Sequence, residues 1–234
     1  MKKIAFFVEG RTECNFIIKL IEEAYDRKEI SITANKAKGG NKAEITFTTI
    51  FADSIKTDTK FHVLIVNCTG ESNLRTYIDD RREDLTKSGF FKIIGIRDLY
   101  PNFQRNELHT LMQGLKYKLP QKPIETEFII NIMELETNFL SEHNHFSVIN
   151  PNLTTALISD HLGFNPETDD MQVRPAPSLD LHNCYSLVNE SYSKEDAVVD
   201  RTISSLDYSN IYYNLRTRIQ PLDRLIQNLD DFFH

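Results

Sequence analysis

The chain has 234 residues, 40% hydrophobic and 26% charged, with 34 acidic against 27 basic side chains and a formal net charge of −7. That composition is globular, long enough for one substantial core, and its negative balance excludes attachment to nucleic acid by bulk electrostatics alone, though not a local basic groove. Cys14, Cys68 and Cys184 match no zinc or disulfide spacing and read as reduced thiols, and the apolar run behind Lys2 and Lys3 is too short for a signal peptide or a span, so a soluble, cytoplasmic protein without membrane association is expected.

Residues 2–8 (KKIAFFV) read as a strand buried on both faces, because Ile4 to Val8 form an unbroken apolar run. Glu9 and Gly10 follow. After Thr12, apolar residues Phe16, Ile17, Leu20, Ile21 and Ala24 recur at helical spacing. Gly10 fits the tight turn between strand and helix. Residues 30–50 read as a strand, a Gly39–Gly40 turn and a second strand or helix start, with Lys36, Lys38 and Lys42 around the turn. FHVLIVNCTG at 61–70 is another buried strand, and the polar segment behind it is a helix closed by Gly89. A further strand in 90–101 ends on Asp98. A polar helix over about 104–116 leads to one more, with Phe128 to Met133 ending on Glu134 and Glu136.

Strands alternating with helices predict an α/β fold with a mostly parallel sheet flanked by helices. Beyond residue 147 no comparable strand appears. Loop-like Pro, Asn and Asp stretches (GFNPETDD, VRPAPS) precede helical patterns near 194–206 and 221–233, with Leu222, Leu225, Ile226 and Leu229 on one face. The expected organisation is therefore an α/β domain over 1–146 with a helical extension over 147–234 packed on the same core.

Ligands of such sheets bind outside the carboxyl ends of the strands, where Glu9, Asp98 and the Glu134/Glu136 pair fall. Acids from separate strand ends suit a hard divalent cation, Mg²⁺ or Mn²⁺, completed by phosphate oxygens and water. The alternative for each is simple complementarity to a helix N-terminus, which is also the favoured reading of Glu13. Strand alternation would turn one of Glu134 and Glu136 toward the site and the other away. Arg11 and Arg97 flank the best acids and either grip a phosphate or pair with those acids. The Lys36/Lys38/Lys42 cluster is a solvated loop or a contact for a nucleic-acid backbone, represented in the candidate site by Lys42. His143 and His145 read as surface histidines. Serine-hydrolase, P-loop and dinucleotide motifs are absent from the sequence.

FFVEGRTE followed by a helix, IIGIRDLY at a later strand end, and MELETNFL resemble the TOPRIM fold of topoisomerases, primases and nucleases of the overcoming-lysogenization-defect type. More narrowly, the chain resembles small stand-alone bacterial TOPRIM-like proteins, some of them found in defence loci. The resemblance covers about residues 2–140, and SYSKEDAVV and NLRTRIQPLDRLIQNL extend it into the tail. It implies a metal-dependent nuclease acting on DNA or RNA, with Glu9 as general base or ligand, Asp98 as ligand, and Glu134 or Glu136 as supplementary ligand. The family's Asp-x-Asp reads Asp98-Leu99-Tyr100 here, and a phenol is a poor Mg²⁺ ligand near neutral pH. Tyr100 is also discounted as a nucleophile. That departure keeps a second expectation open: an impaired scaffold that partners an ATPase of the ABC or SMC type, in phage defence. A homodimer is compatible with either.

Overall fold

The structure is a computed structural model that describes residues 1–40 and 43–234, without the side chain of Glu71. Six strands form one sheet: β1 (Lys2–Val8), β2 (Ile30–Gly40), β3 (Ala43–Ala52), β4 (Phe61–Asn67), β5 (Lys92–Asp98) and β6 (Glu125–Asn131). Their spatial order is β3-β2-β4-β1-β5-β6, and every neighbouring pair is parallel except β2 with β3. The fold is therefore α/β and Rossmann-like, with a mostly parallel sheet flanked by helices.

The unbroken apolar run of β1 has a direct structural cause. Successive side chains alternate faces, so Ile4, Phe6 and Val8 enter one apolar cluster while Ala5 and Phe7 enter the other. The first cluster is covered by α1 (Arg11–Ala24), which buries Phe16, Ile17, Leu20 and Ile21. The second is covered by α2 (Leu74–Lys87) and α3 (Leu108–Lys116).

Seven further helices follow: α4 (Glu136–Ser141), α5 (Asn144–Ile149), α6 (Thr155–Leu162), α7 (Pro177–Ser186), α8 (Asp196–Ser205), α9 (Tyr208–Tyr213) and α10 (Gln220–Phe233). Leu222, Leu225, Ile226 and Leu229 of α10 are buried in the same cluster as α1 and the first face of β1. The Tyr25 hydroxyl at the end of α1 donates to Asp230 of α10 at 2.7 Å, which ties the tail to α1 on the same face of the sheet. Among the described residues, no helix is long and apolar enough to cross a membrane.

Four local expectations change. The segment 30–50 is a hairpin, so Lys36 and Lys38 are exposed residues of β2 rather than of a loop, and Lys42 lies outside the described residues. Strand β6 ends on Asn131; the apolar run continues as Ile132 and Met133, but Met133 has φ of 68° and the chain turns there. The Pro-rich VRPAPS is only partly loop, because Pro177 begins α7, where its fixed φ suits a first helical residue. His145 is wholly buried, its ring packed between Phe146 and Tyr185 and its backbone N–H donated to the buried Glu142.

Gly95 stands in the middle of β5, and its backbone does not require glycine. The space above it does. A Cβ there would meet Phe128 ring carbons at 2.6 and 2.8 Å and the Ile78 methyl at 3.1 Å. Overpacking of this kind costs about 1–3 kcal/mol, more than the roughly 0.4–1 kcal/mol that a Gly-to-Ala change returns through the unfolded chain. Gly95→Ala is expected to lower stability by about 1–2 kcal/mol in urea melts, and an unchanged midpoint would contradict this packing.

Candidate functional site

Strands β1 and β5 are neighbours, and their following helices pack on opposite faces, α1 on the first and α3 on the second. Diverging connections of that kind open a crevice at the carboxyl ends of the strands. Glu9 directly follows β1, and Asp98 is the last residue of β5. The Asp98 backbone N–H donates to Glu9 Oε1 at 3.1 Å, so the two acids predicted from separate strands do meet.

Asp98 is 5% exposed, and its Oδ1 accepts from Asn131 Nδ2 at 2.8 Å across the β5–β6 pairing. Two further acids close the cluster. Glu13, in the first turn of α1, is buried and accepts the Gly10 N–H at 2.9 Å through Oε2. It is therefore a helix cap, as its position suggested, and a member of the acid cluster as well. Gly10 itself has φ of −145°, extended backbone open to any residue; its use is room, since a Cβ would sit 3.1 Å from that same Oε2.

Glu136 opens α4 and is completely buried. Its Oε1 accepts from the Tyr192 hydroxyl at 2.7 Å and pairs with Lys194 Nζ at 2.9 Å. Its Oε2 is buried with no hydrogen-bond partner among the described residues, an unusual state for a carboxylate oxygen. Glu134 is turned elsewhere: its two oxygens accept from the Ser178 backbone N–H at 2.9 Å and hydroxyl at 3.1 Å, capping the first turn of α7. Neither glutamate lies on a strand, so alternation does not govern them. The turn at Met133 does.

The electrostatics follow from the crowding. Burial pushes the Asp98 carboxyl well above its ordinary range, and the charges of Glu13, Glu9 and Glu136 push it further, with the Asn131 hydrogen bond opposing them. Burial and Glu136 likewise raise Glu13. Burial would lower the pKa of Lys194, yet Glu136, Asp98 and Glu13 together hold it above its usual value. Lys194 is thus the ammonium that answers this negative field, and it reaches in from a loop that nothing in the sequence marks as part of the site.

The flanking arginines diverge. Arg11 pairs with Asp196 and, at 3.0 Å, with Asp200, so it fastens α1 to α8 rather than standing over the acids. Arg97 is only 11% exposed, with Nε 3.7 Å from Glu9 Oε1 and its guanidinium over the Phe103 ring at 5.6 Å. Among the described residues, no group of three or more His, Cys, Asp and Glu side chains stands positioned to hold a metal ion.

No family model matches the chain, and no curated protein does. A solved structure described as a candidate cell surface hydrolase from Lactobacillus plantarum is similar over 90% of this chain and 76% of that one, at 11% identity and a TM-score of 0.34. A likeness that slight carries no argument about the site.

The raised carboxyls make a stability prediction. A carboxyl whose pKa is higher in the folded than in the unfolded state contributes stability below the unfolded value, near pH 4 for Asp, and that contribution is lost as pH rises through the folded value. Asp98→Asn keeps an oxygen for the Asn131 amide and removes the charge. It is expected to raise the melting temperature at pH 7–8, by about 1 kcal/mol or more of stability, with the gain vanishing toward pH 4. A variant less stable than the parent at pH 8 would mean that Asp98 is a structural anion.

Proposed function

We propose that the cluster of Glu9, Glu13, Asp98 and Glu136 is a site for Mg²⁺ or Mn²⁺ and that the protein hydrolyses phosphodiester bonds of nucleic acid. The observation that carries this reading is the convergence of four carboxylates on the carboxyl edge, with Asp98 raised and one Glu136 oxygen unpartnered. An all-oxygen donor set matches a hard cation. No three of these acids stand at ligand geometry together, so Glu9 and Asp98 would hold the ion with water and phosphate oxygens completing its shell, and Glu13 and Glu136 would supply the surrounding negative field. When bound, such an ion polarises a phosphate oxygen and lowers the pKa of a coordinated water.

The chain's own residues supply the rest. Glu9 is held at the lip by the Asp98 N–H on its Oε1, a placement that suits it to hold or relay a proton. Arg97, packed beside Glu9, offers a planar fork of donors to a phosphate arriving at that lip. Asn131 steadies Asp98 in whichever protonation state it holds, since one oxygen accepts in both. The resemblance to TOPRIM proteins supports the same assignment of Glu9 and Asp98.

A second reading has its own observation. Lys194 and Tyr192 already answer Glu136, and Tyr100 stands where the TOPRIM pattern has a second acid. On that reading the site is an impaired scaffold whose partner is an ATPase of the ABC or SMC type. Calorimetric titration with Mg²⁺ and Mn²⁺ separates the two. The nuclease reading expects saturable binding, weakened by at least about tenfold in Glu9→Gln and Asp98→Asn. Binding should release protons and tighten as pH rises, because the ion must displace the protons that the crowded acids retain. Absence of binding at millimolar metal, together with no cleavage of DNA or RNA, would favour the scaffold.

A further inference from the structure

The other half of the same edge carries a groove that the acid cluster does not use. It encloses about 410 Å³ between α1, the ends of β2 and β4, and the far end of β3, a size in the range of small-ligand pockets, about 300–1,000 Å³. Its apolar lining includes Ile18 of α1, Ala34 of β2 and Phe51 of β3. Its rim is polar, with Asn15, Lys36 and Asp196. Cys14 also lines it, but burial pushes that thiol up to about 12, so it acts as floor and not as nucleophile.

Register ties this groove to the acids. Lys36 pairs with Asn67 on β4, and Asn67 pairs with Val8 on β1, the residue before Glu9. Lys36 therefore stands two strand spacings, about 10 Å, from the lip of β1. About three stacked nucleotides span that distance at 3.4 Å each. Phe51 is 39% exposed at the groove, which leaves ring area open to a stacking partner. The Asn15 amide donates to Asp200 at 2.6 Å and Asp196 pairs with Arg11, so these two close the rim beside α1, while Lys36 presents a cation to phosphate.

We propose that this groove seats one unstacked base of a single-stranded nucleic acid whose backbone passes Lys36 and runs to the acid cluster. The base stacks on Phe51 and leaves its phosphate to Lys36. An enclosed groove accepts a base only when it is free of its stack, so a single strand fits and an intact duplex does not. The inference deepens the nucleic-acid reading above and rests on it, but it concerns binding and needs no metal.

The test uses the full chain in EDTA at 50 mM salt with fluorescein-labelled ten-nucleotide dT and rU strands, followed by fluorescence anisotropy. The expected result is binding of at least one strand, weakened about 5- to 100-fold in Phe51→Ala and restored in Phe51→Tyr. Lys36→Gln should flatten the dependence on salt. Comparison of dT with rU distinguishes a DNA from an RNA substrate. Equal binding by Phe51→Ala and the parent, or loss that Phe51→Tyr does not restore, overturns the proposal. So does failure of both strands to bind the parent. Metal titration of the acid cluster is read independently, so a failed groove and a failed metal site give different results.

Discussion

Parallel strands all finish on the same side, and that single constraint organises this molecule. Strand β1 sits in the middle of the sheet with apolar side chains on both faces from Ile4 to Val8, so the first charged residue after that run is the one that leaves the sheet. That residue is Glu9. Strands β5 and β6 end one and two places away, on Asp98 and Asn131, and the helices that leave β1 and β6 bring Glu13 and Glu136 back to the same edge. Glu9 and Asp98 are gathered by the hydrogen-bonded register of their strand ends, and Glu13 and Glu136 by the helices that return to that edge.

Such a gathering costs stability, and the rest of the fold offsets it. Asp98 and Glu136 are buried where water cannot screen them, and an unpaired buried charge is among the most destabilising features a protein can carry. The C-terminal helical third supplies the compensation. Tyr192 and Lys194 lie in the connection between α7 and α8 and reach Glu136, while Ser178 at the start of α7 occupies Glu134. Arg11 with Asp196 and Asp200, and Tyr25 with Asp230, fasten α1 to this third. The helices after residue 147 are thus part of the electrostatics of the edge as well as of its apolar cover. Strain held at one edge and balanced by packing elsewhere is the usual arrangement at a functional site.

Much of this was legible along the chain, for identifiable reasons. The strands β1, β4 and β5 were readable because burial on both faces leaves an unbroken apolar run, and the apolar face of α10 because its period is helical. Glu9 and Asp98 were readable because each stands where such a run stops. The same signal misled at β6. Ile132 and Met133 prolong the apolar run past Asn131, yet the left-handed backbone of Met133 has already ended the strand, so the acids behind it obey a turn rather than an alternation. Glu13 was weighed as a ligand but read in favour of helix N-terminal complementarity, because its closeness to Glu136, remote in sequence, carries no local signal. Asn131, Tyr192 and Lys194 carry no local signal; their roles exist only through contacts with residues far away in the chain. His145 was misjudged for a related reason, since a His-Asn-His stretch looks solvated until Glu142 and Tyr185 are seen to enclose it.

The negative net charge of −7 sharpens the functional argument. A phosphate backbone approaching four carboxylates is repelled unless a cation intervenes, and at short range the local field outweighs the average over the surface. Lys194 answers part of that field from the protein side, but it is a point charge already committed to Glu136. Arg97 stands beside Glu9, and Lys36 and Lys38 stand exposed on β2, two strands away along the same edge. The edge is thereby divided. Its β5–β6 half carries the negative field of the acids, and its β2 half carries the exposed cations Lys36 and Lys38. On the function proposed above, a nucleic-acid strand held by the second half would be delivered to the first, where a divalent cation would be needed, so that binding and chemistry would answer to different charges on one row of strand ends.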